Sequence, residues 1–448
     1  DLIADEFTLR EIITLEEGFT FSRKGLRDSM MALNGFYADQ GYAYVNVAPL
    51  TNTVPGKNII DIRFQIEKGV QVAIGRIEIR GNTKTLDKVV RREVVIAEGE
   101  TYSEKALEES RRRINNLGFF EEININTSKG ETDEIMNVDI DLKEKPTGTF
   151  SLGVGYSSVD NFIAQGSVSQ SNFLGRGYKL NLSGSFGGAS TVYQIGLLDP
   201  YFLDKNLSLG FDLYKTEREW TEYTELKTGG DIKVGFPVAR NIRAFFIYRY
   251  EEKEIVDIDP NASNLIKDAA GESTLSSIFG SVTRNTTDYH LDPSRGSVTE
   301  ASLEYAGLGG TEKFLRTIVD HRHFFPFKWG TVFSIHGQMG QVFQIDDEEI
   351  PIGERFYLGG IRTIRGFKTR KVGPRVKRFA ATVDPISGEI FQTSEEFEYI
   401  GGVKEAYFNF EYLFPIAKDA GLKGVLFFDT GNAWLKDEDF FESKSVNT

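Results

Sequence analysis

The segment TFSLGVGYS, Thr149–Ser157, decides the fold of this chain, because its side chains alternate in polarity along its length. In an extended strand, successive side chains point to opposite faces. One face of the predicted strand is apolar and consists of Phe150, Leu152, Val154 and Tyr156. The opposite face carries small residues, including Gly153 and Gly155. The same period of two returns at residues 179–186 and 207–213, which predicts a series of amphipathic strands.

Repeated strands of this kind favour an antiparallel transmembrane β-barrel with an apolar outer wall and a polar lumen. The 35 Phe and 18 Tyr residues suit the aromatic girdles of such a barrel, and the 45 Gly residues suit its interior. No run of about 18 apolar residues occurs, so the sequence predicts no transmembrane helix. A soluble sandwich is the alternative, since its strands also alternate, but it would bury the apolar faces between two sheets.

The connections between the predicted strands alternate between short and long. The short ones contain Asp199-Pro200, Pro237–Asn241, Asp292-Pro293 or Phe325-Pro326. The long ones include residues 251–272 and about 343–403, and short turns opposite long loops are typical of outer-membrane barrels. This order makes 343–403 the sixth external loop. We count about 13 strands up to Leu422–Asp429, of about 16 expected for a closed, even-numbered barrel. The C-terminal strands are therefore expected beyond Thr448.

The N-terminal third of the chain contains an internal repeat. EGFTFS at residues 17–22 returns as EGETYS at residues 98–103, an offset of 81 residues. In each copy the final serine, Ser22 or Ser103, is expected to cap a helix that is followed by two strands. The repeat predicts two α+β modules at residues 1–69 and 70–146, the first without its opening strand, and a barrel at 147–448. The chain begins in mid-element, so further modules are expected before Asp1.

Composition argues against several classes of function. A formal net charge of −14 disfavours nucleic-acid binding, which needs a basic surface. The absence of cysteine excludes disulfides and thiolate metal sites. The four histidines have no partner at metal-ligand spacing, and no serine is marked as a nucleophile. We therefore expect no metal, no cofactor and no enzymatic activity.

Several short motifs resemble those of the BamA family, the outer-membrane β-barrel assembly factors. Ile364, Arg365, Gly366 and Phe367 form IRGF, which resembles the [V/I]-R-G-[F/Y] signature of the family's sixth loop. FFDTG at residues 427–431, with Asp429 and Gly431, resembles its F-x-D-x-G strand motif, and QSNFLGRG at 170–177 resembles its Q-x-N-x-x-G-x-G turn. The two N-terminal modules resemble POTRA modules. The resemblance covers nearly the whole chain and implies POTRA repeats followed by most of the barrel.

The resemblance also implies a site in the barrel lumen. In the family, the sixth loop folds inward and places its arginine against acidic residues of the wall. Arg365 is therefore expected to bind Glu411 and Asp429 through charge-assisted hydrogen bonds. Gly366 is expected to permit a tight backbone, and Phe367 to pack on the wall. The alternative is that these charges only line a water-filled lumen.

What the resemblance implies for function is folding and insertion of β-barrel proteins in the bacterial outer membrane, without nucleotide or cofactor and with the POTRA modules in the periplasm. The first strand, Thr149–Ser157, would be one side of an openable seam that pairs with an incoming strand. Its glycines would make that pairing loose. Expected partners are nascent outer-membrane proteins, outer-membrane lipids and accessory lipoproteins at the POTRA modules. The alternatives are a two-partner secretion transporter, which exports a polypeptide through the lumen, and a passive porin.

Overall fold

The computed structural model describes residues 2–157, 161–346, 349–383, 390–417 and 420–441. The chain forms two compact units. The first contains residues 1–148 together with the turn 170–178, and the second contains residues 149–169 and 179–448. Within the described ranges, no helix is long and apolar enough to cross a bilayer.

The first N-terminal module is a helical pair packed on a two-stranded sheet. Its elements are α1 (Glu6–Ile12), α2 (Arg23–Ala38), β1 (Asn46–Thr53) and β2 (Ile60–Glu67). The Ser22 side chain accepts a hydrogen bond from the Gly25 N–H at 3.2 Å, which confirms the predicted cap of α2. Leu33 and Tyr37 of α2 are buried against Val47 of β1, so the apolar face of the helix forms the core of the module.

The second module repeats this plan with an additional strand. Its elements are β3 (Ala73–Arg80), α3 (Asp87–Arg91), α4 (Glu104–Leu117), β4 (Phe120–Lys129) and β5 (Ile135–Glu144). The strand order is β3-β5-β4, with β3 parallel to β5 and β4 antiparallel to it. Ser103 caps α4 by accepting from the Ala106 N–H at 3.2 Å, again as predicted. Val90, Ile114 and Ile140 are fully buried between the helices and the sheet.

A carboxylate at the end of β5 organises the start of α3. Glu144 accepts hydrogen bonds from the Thr83 hydroxyl at 2.9 Å, the Lys84 N–H at 2.9 Å and the Thr85 N–H at 2.7 Å. Burial alone would raise the pKa of Glu144, but these hydrogen bonds outweigh it and hold the pKa below its usual value. The carboxylate thus satisfies backbone N–H groups of the segment that precedes α3.

The turn 170–178 packs against this same corner of the second module. Asn172 donates from its side-chain amide to the Thr85 hydroxyl at 2.8 Å. The Leu86 N–H donates to the Gly175 carbonyl at 2.9 Å. Gly175 has φ +69°, and a Cβ there would lie 1.9 Å from the Lys84 carbonyl oxygen. Gly175 of the QSNFLGRG motif is therefore explained by close backbone approach, whereas a Cβ at Gly177 would meet the Arg92 side chain at 2.7 Å.

The second unit is built on a 13-stranded sheet, which confirms the predicted strand count. Its strands are β6 (Gly148–Ser157), β7 (Asn161–Phe173), β8 (Tyr178–Gly187), β9 (Ser190–Asp199), β10 (Ser208–Glu219), β11 (Thr224–Ala239), β12 (Ile242–Val256), β13 (Gly271–Asn285), β14 (Gly296–Ala306), β15 (Phe314–Pro326), β16 (Val332–Gln344), β19 (Lys404–Ala417) and β20 (Leu422–Trp434). Each strand pairs with its sequence neighbour, except that β16 pairs with β19. The intervening β17 (Arg375–Val383) and β18 (Ile390–Tyr399) form a separate hairpin. A short helix, α5 (Asn264–Asp268), lies between β12 and β13.

The two faces of the large sheet have opposite character. The apolar residues predicted for the outer face of β6 are all exposed: Phe150, Leu152, Val154 and Tyr156. On the other face, charged side chains such as Lys253, Glu304 and Glu405 are buried. A soluble sandwich would show the reverse, since its apolar faces pack together. The arrangement instead suits a wall with lipid on one side and a polar interior on the other.

Candidate functional site

The long connection between β16 and β19 returns to the polar face of the sheet and places Arg365 on β19 and β20. The guanidinium binds Asp429 in a bidentate manner, with Nε–Oδ2 at 2.7 Å and Nη2–Oδ1 at 2.6 Å. Its Nη1 lies 2.6 Å from Glu411 Oε1, and the Arg365 backbone N–H donates to Asp429 Oδ2 at 2.9 Å. The Asp429 side chain is only 2% exposed. The ring of Phe427 stacks under the guanidinium at 3.8 Å.

Strand register explains why the two carboxylates converge. Asn409 of β19 lies opposite Asp429 of β20, and Glu411 shares the face of Asn409 two residues on. Asn409 also donates from its side chain to the Thr363 carbonyl at 2.6 Å, close to the arginine in sequence. The structure thus brings together Arg365, Glu411 and Asp429. Charge-assisted bonds of this geometry fix position and orientation, so the arrangement can hold a loop against the wall.

Of the residues that follow Arg365, Gly366 has the role expected of it and Phe367 does not. Gly366 has φ +88°, which favours glycine. Ile364, not Phe367, packs inward, and it is buried with Tyr407 and Ala433. Phe367 is 58% exposed, so the expectation that it packs on the wall is wrong.

Gly431 of the FFDTG motif lies where the two strands approach most closely. It is the register partner of Tyr407. A Cβ at Gly431 would lie 2.5 Å from both the Ala406 carbonyl oxygen and the Tyr407 Cβ. The glycine is therefore required by the closeness of β19 to β20 beside the Arg365 site.

Sequence reasoning missed a second charged anchor of the same loop. Glu354 accepts from Lys253 Nζ of β12 at 2.5 Å and forms an ion pair with Arg316 of β15. Arg316 also donates to the Glu354 carbonyl at 2.8 Å, and Lys253 donates to Glu312 at 2.8 Å. All four side chains are largely buried. The strand parity of Lys253 and Arg316 places both cations on the polar face, and this pattern could have predicted the anchor.

Two further contacts tie the loop to other connections of the sheet. The Arg370 guanidinium lies between the rings of Trp220 and Tyr357, at 4.0 and 3.5 Å from their centroids. Glu398 of β18 is fully buried and accepts from the Ser263 N–H, just before α5, at 2.9 Å. No sequence pattern indicated either contact, because each joins loops distant along the chain.

The predicted seam strand, β6, lies at one end of the sheet order. Within the described ranges it has one hydrogen-bonded strand neighbour, β7. A Cβ at Gly153 would meet the Gln165 side chain at 3.0 Å, whereas one at Gly155 would meet nothing within 4 Å. The strand therefore has little side-chain packing on its small face.

Comparison with known proteins agrees with this geometry. Residues 172–448 match the Omp85 superfamily domain, and residues 2–69 and 72–145 match the POTRA family described as surface antigen variable number repeat. The outer membrane protein assembly factor BamA of Nitratidesulfovibrio vulgaris is 30% identical over 401 residues, covering 89% of this chain and 48% of the relative. The chain belongs to the BamA family of the Omp85 superfamily. The 13-stranded sheet is therefore the wall of a BamA-type barrel, and the two N-terminal modules are POTRA repeats.

Other members of the family show how much of such a protein the chain represents. BamA of Neisseria meningitidis is 27% identical over 451 residues, covering 95% of this chain and 55% of the relative. The chain spans about half the length of the curated relatives it matches. The crystal structure of Haemophilus ducreyi BamA lacking POTRA domains 1–3 has a TM-score of 0.78 at 21% identity, covering 96% of this chain and 84% of that one. That likeness shows the shared fold.

Proposed function

We propose that this protein folds β-barrel proteins and inserts them into the bacterial outer membrane. The observation that carries the proposal is that curated relatives matching most of the chain are named outer membrane protein assembly factors. The anchored IRGF loop supports it, because the loop and its motif resemble those of the same family.

The mechanism we propose uses backbone hydrogen bonds alone. A strand at the end of a sheet offers N–H and C=O groups to an incoming chain, which can add to it by β-augmentation. In β6 the small residues Gly153 and Gly155 add little packing, so a pairing made there can also be released. Burial of the finished barrel in lipid supplies the driving force. The protein would then need no nucleotide, cofactor or enzymatic step.

The partners follow from the same proposal. Nascent outer-membrane proteins would pair with β6, outer-membrane lipids would contact the exposed apolar wall, and accessory lipoproteins would dock on the POTRA modules. The POTRA modules would lie in the periplasm, where unfolded substrates arrive. Nucleic acid is not expected as a partner, because the chain carries a net charge of −14.

Depletion of the full-length protein in its native cell tests the proposal. We expect several unrelated outer-membrane barrels to decline together, measured by quantitative mass spectrometry of isolated outer membranes. A peripheral outer-membrane lipoprotein is the matched control, and its level should hold. Loss of a single secreted polypeptide while the barrels persist would instead favour two-partner secretion through the lumen.

A further inference from the structure

We propose that His336 of β16 positions the sixth loop, and that the proton on its Nδ1 atom controls how firmly the loop is held. The His336 side chain lies on the polar face of the sheet and is only 8% exposed. This inference concerns the hold on the loop and goes beyond the assembly activity proposed above. It does not depend on that activity, since any wall that holds such a loop could use it.

His336 belongs to a row of polar residues that crosses four neighbouring strands. Arg322 of β15 is the register partner of His336. His336 is in turn the partner of Asn409 of β19, and Asn409 is the partner of Asp429 of β20. Register partners in neighbouring strands place their side chains on the same face of the sheet. The row therefore leads from β15 to the carboxylate that binds Arg365.

Asn409 connects His336 to the loop, and the orientation of its amide is fixed. The Asn409 Nδ2 donates to the Thr363 carbonyl at 2.6 Å. A carbonyl oxygen only accepts hydrogen bonds, so the amide nitrogen must be the atom that faces Thr363. The amide oxygen then faces His336, and it lies 3.0 Å from Nδ1. A hydrogen bond between these two atoms requires a proton on Nδ1.

The other ring nitrogen of His336 has a carboxylate partner. Its Nε2 lies 2.6 Å from Asp320 Oδ2. An ionised carboxylate only accepts hydrogen bonds, so Nε2 carries a proton as well. With protons on both nitrogens, the ring is an imidazolium that donates to Asp320 and to Asn409. In this state it joins β15 to β19 and supports the side chain that holds Thr363.

A competing donor faces the same nitrogen as Asn409. Arg322 Nη2 lies 3.2 Å from Nδ1 of His336. A guanidinium only donates hydrogen bonds, so this bond needs a free lone pair on Nδ1. A neutral ring that keeps its proton on Nε2 would accept from Arg322 and turn that lone pair towards the Asn409 oxygen. Nδ1 therefore has two partners that it cannot bind at once, and its proton selects between them.

The groups around the ring determine the balance between the two states. From β15, the Asp320 carboxylate favours the imidazolium and the Arg322 cation opposes it. From β19, the uncharged Tyr407 ring packs edge-on, with its centroid 5.5 Å from that of His336. Further charged groups near the row have other partners: Glu405 binds Gln338, Glu411 binds Ser334 and Arg365, and Asp429 binds Arg365.

The loop should therefore be held more firmly at low pH than at high pH. Histidine changes its charge between roughly pH 5 and pH 8. When the ring is charged, Nδ1 donates to Asn409, which holds the Thr363 carbonyl two residues before Arg365. When the ring is neutral, Nδ1 accepts from Arg322 and Asn409 loses this support. Because only the charged ring stabilises the loop, its contribution is lost as the pH rises.

Limited proteolysis at several pH values tests the proposal. The full-length protein would be folded in detergent micelles and cleaved within residues 345–403, with the protease calibrated at each pH on an unfolded substrate. We expect cleavage of the wild type to accelerate about tenfold between roughly pH 5.5 and pH 8, which corresponds to the loss of one charge-assisted hydrogen bond. His336→Gln should lose this dependence on pH. His290→Gln, at an exposed histidine in the turn after β13, is the matched control and should retain it.

Two neighbouring variants distinguish a proton switch from a merely structural role. Asp320→Asn removes the carboxylate that favours the imidazolium, so the midpoint of the cleavage profile should move to lower pH. Arg322→Gln removes the competing donor and its charge, so the midpoint should move to higher pH. Midpoints that move in the same direction, or that do not move, would contradict the proposal. A wild-type profile that is flat over this range would do so as well.

Nuclear magnetic resonance of the ring nitrogens measures the proton itself and leaves the row intact. The chain has four histidines, so His290→Gln, His321→Gln and His323→Gln together leave His336 as the single labelled ring. We expect its Nδ1 to lose a proton over the same pH range as the change in cleavage, while Nε2 keeps its own. An Nδ1 that stays protonated or unprotonated throughout would overturn the switch. None of these measurements uses assembly of client barrels, so failure of this inference and failure of the proposed function remain distinguishable.

Discussion

At the scale of single residues, the two carboxylates that bind Arg365 differ in burial and in the number of hydrogen bonds that they accept from it. Asp429 is almost fully buried and receives two bonds from the guanidinium and one from the backbone, whereas Glu411 is 31% exposed and receives one. A buried carboxylate that loses its partner retains the full cost of its desolvation. Asp429 therefore determines the consequence of any change at Arg365.

Reversal of the arginine charge should release the loop. Arg365→Glu places a third carboxylate beside Asp429 and Glu411, and we expect destabilisation of the loop contact on the order of 3 kcal/mol. The measurement is the rate of limited proteolysis of residues 345–403 in the folded protein, together with growth of cells that depend on the variant. Adding Asp429→Arg should restore part of the resistance to proteolysis and part of the growth.

The matched control is Arg362→Glu, an exposed arginine in the same loop. It changes the net charge equally but lies three residues before the site. Wild-type proteolysis and growth are expected for it. If Arg365→Glu behaved like this control, the ion pair would not hold the loop.

At the scale of elements, the turn 170–178 and the end of α4 each contain a glycine with the same backbone conformation, but glycine is needed for different reasons at the two positions. Gly175 and Gly118 have φ of +69° and +72°. A Cβ at Gly175 would collide with the Lys84 carbonyl, whereas one at Gly118 would meet nothing within 4 Å. At the end of α4, Gly118 is therefore needed only for its left-handed backbone conformation. Gly175 is needed both for that conformation and because no Cβ would fit.

Alanine at these two positions separates the two effects. Gly118→Ala should cost about 1 kcal/mol from left-handed strain. Gly175→Ala should cost about 1–3 kcal/mol more, because the backbone of the second POTRA module must move. Hydrogen exchange of the α3 and β5 amides in the whole chain measures both. Equal costs would show that the turn is not packed as described.

At the scale of the whole molecule, the sixth loop is held at several points that lie far apart in sequence. Glu354 is tied to β12 and β15, and Arg365 is tied to β19 and β20. Ordering a long loop is opposed by conformational entropy, and one contact that limits the loop lowers the entropic cost of the next. The two anchors should therefore support each other.

A double-mutant cycle tests this coupling. Glu354→Gln and Arg365→Gln should each increase proteolysis of the loop moderately, since the other anchor remains. The double variant should cost about 1 kcal/mol less than the sum of the two, expressed as the free energy of local opening, because each single variant already loses the mutual support of the anchors. Glu349→Gln, an exposed carboxylate in the same loop, is the control. Strict additivity would mean that the anchors act independently.

The sequence by itself determined the strand pattern of the barrel region and the start of two POTRA helices. The period of two along Thr149–Ser157 and its successors determined the strands and their lipid-facing side, because alternation is a local property of an extended chain. Ser22 and Ser103 determined where α2 and α4 begin, since a cap bonds only to neighbouring N–H groups. The Arg365 partners were found by resemblance to a family motif.

Only the tertiary structure decided which distant groups meet. The pairing of Glu354 with Lys253 and Arg316, and of Glu398 with the chain before α5, depends on how the loops cross the polar interior. The burial of Ile364 in place of Phe367 depends on the packing of the loop against Tyr407 and Ala433. These contacts join residues far apart in sequence, and no local period specifies them. They are set by the shape of the space that the folded wall encloses.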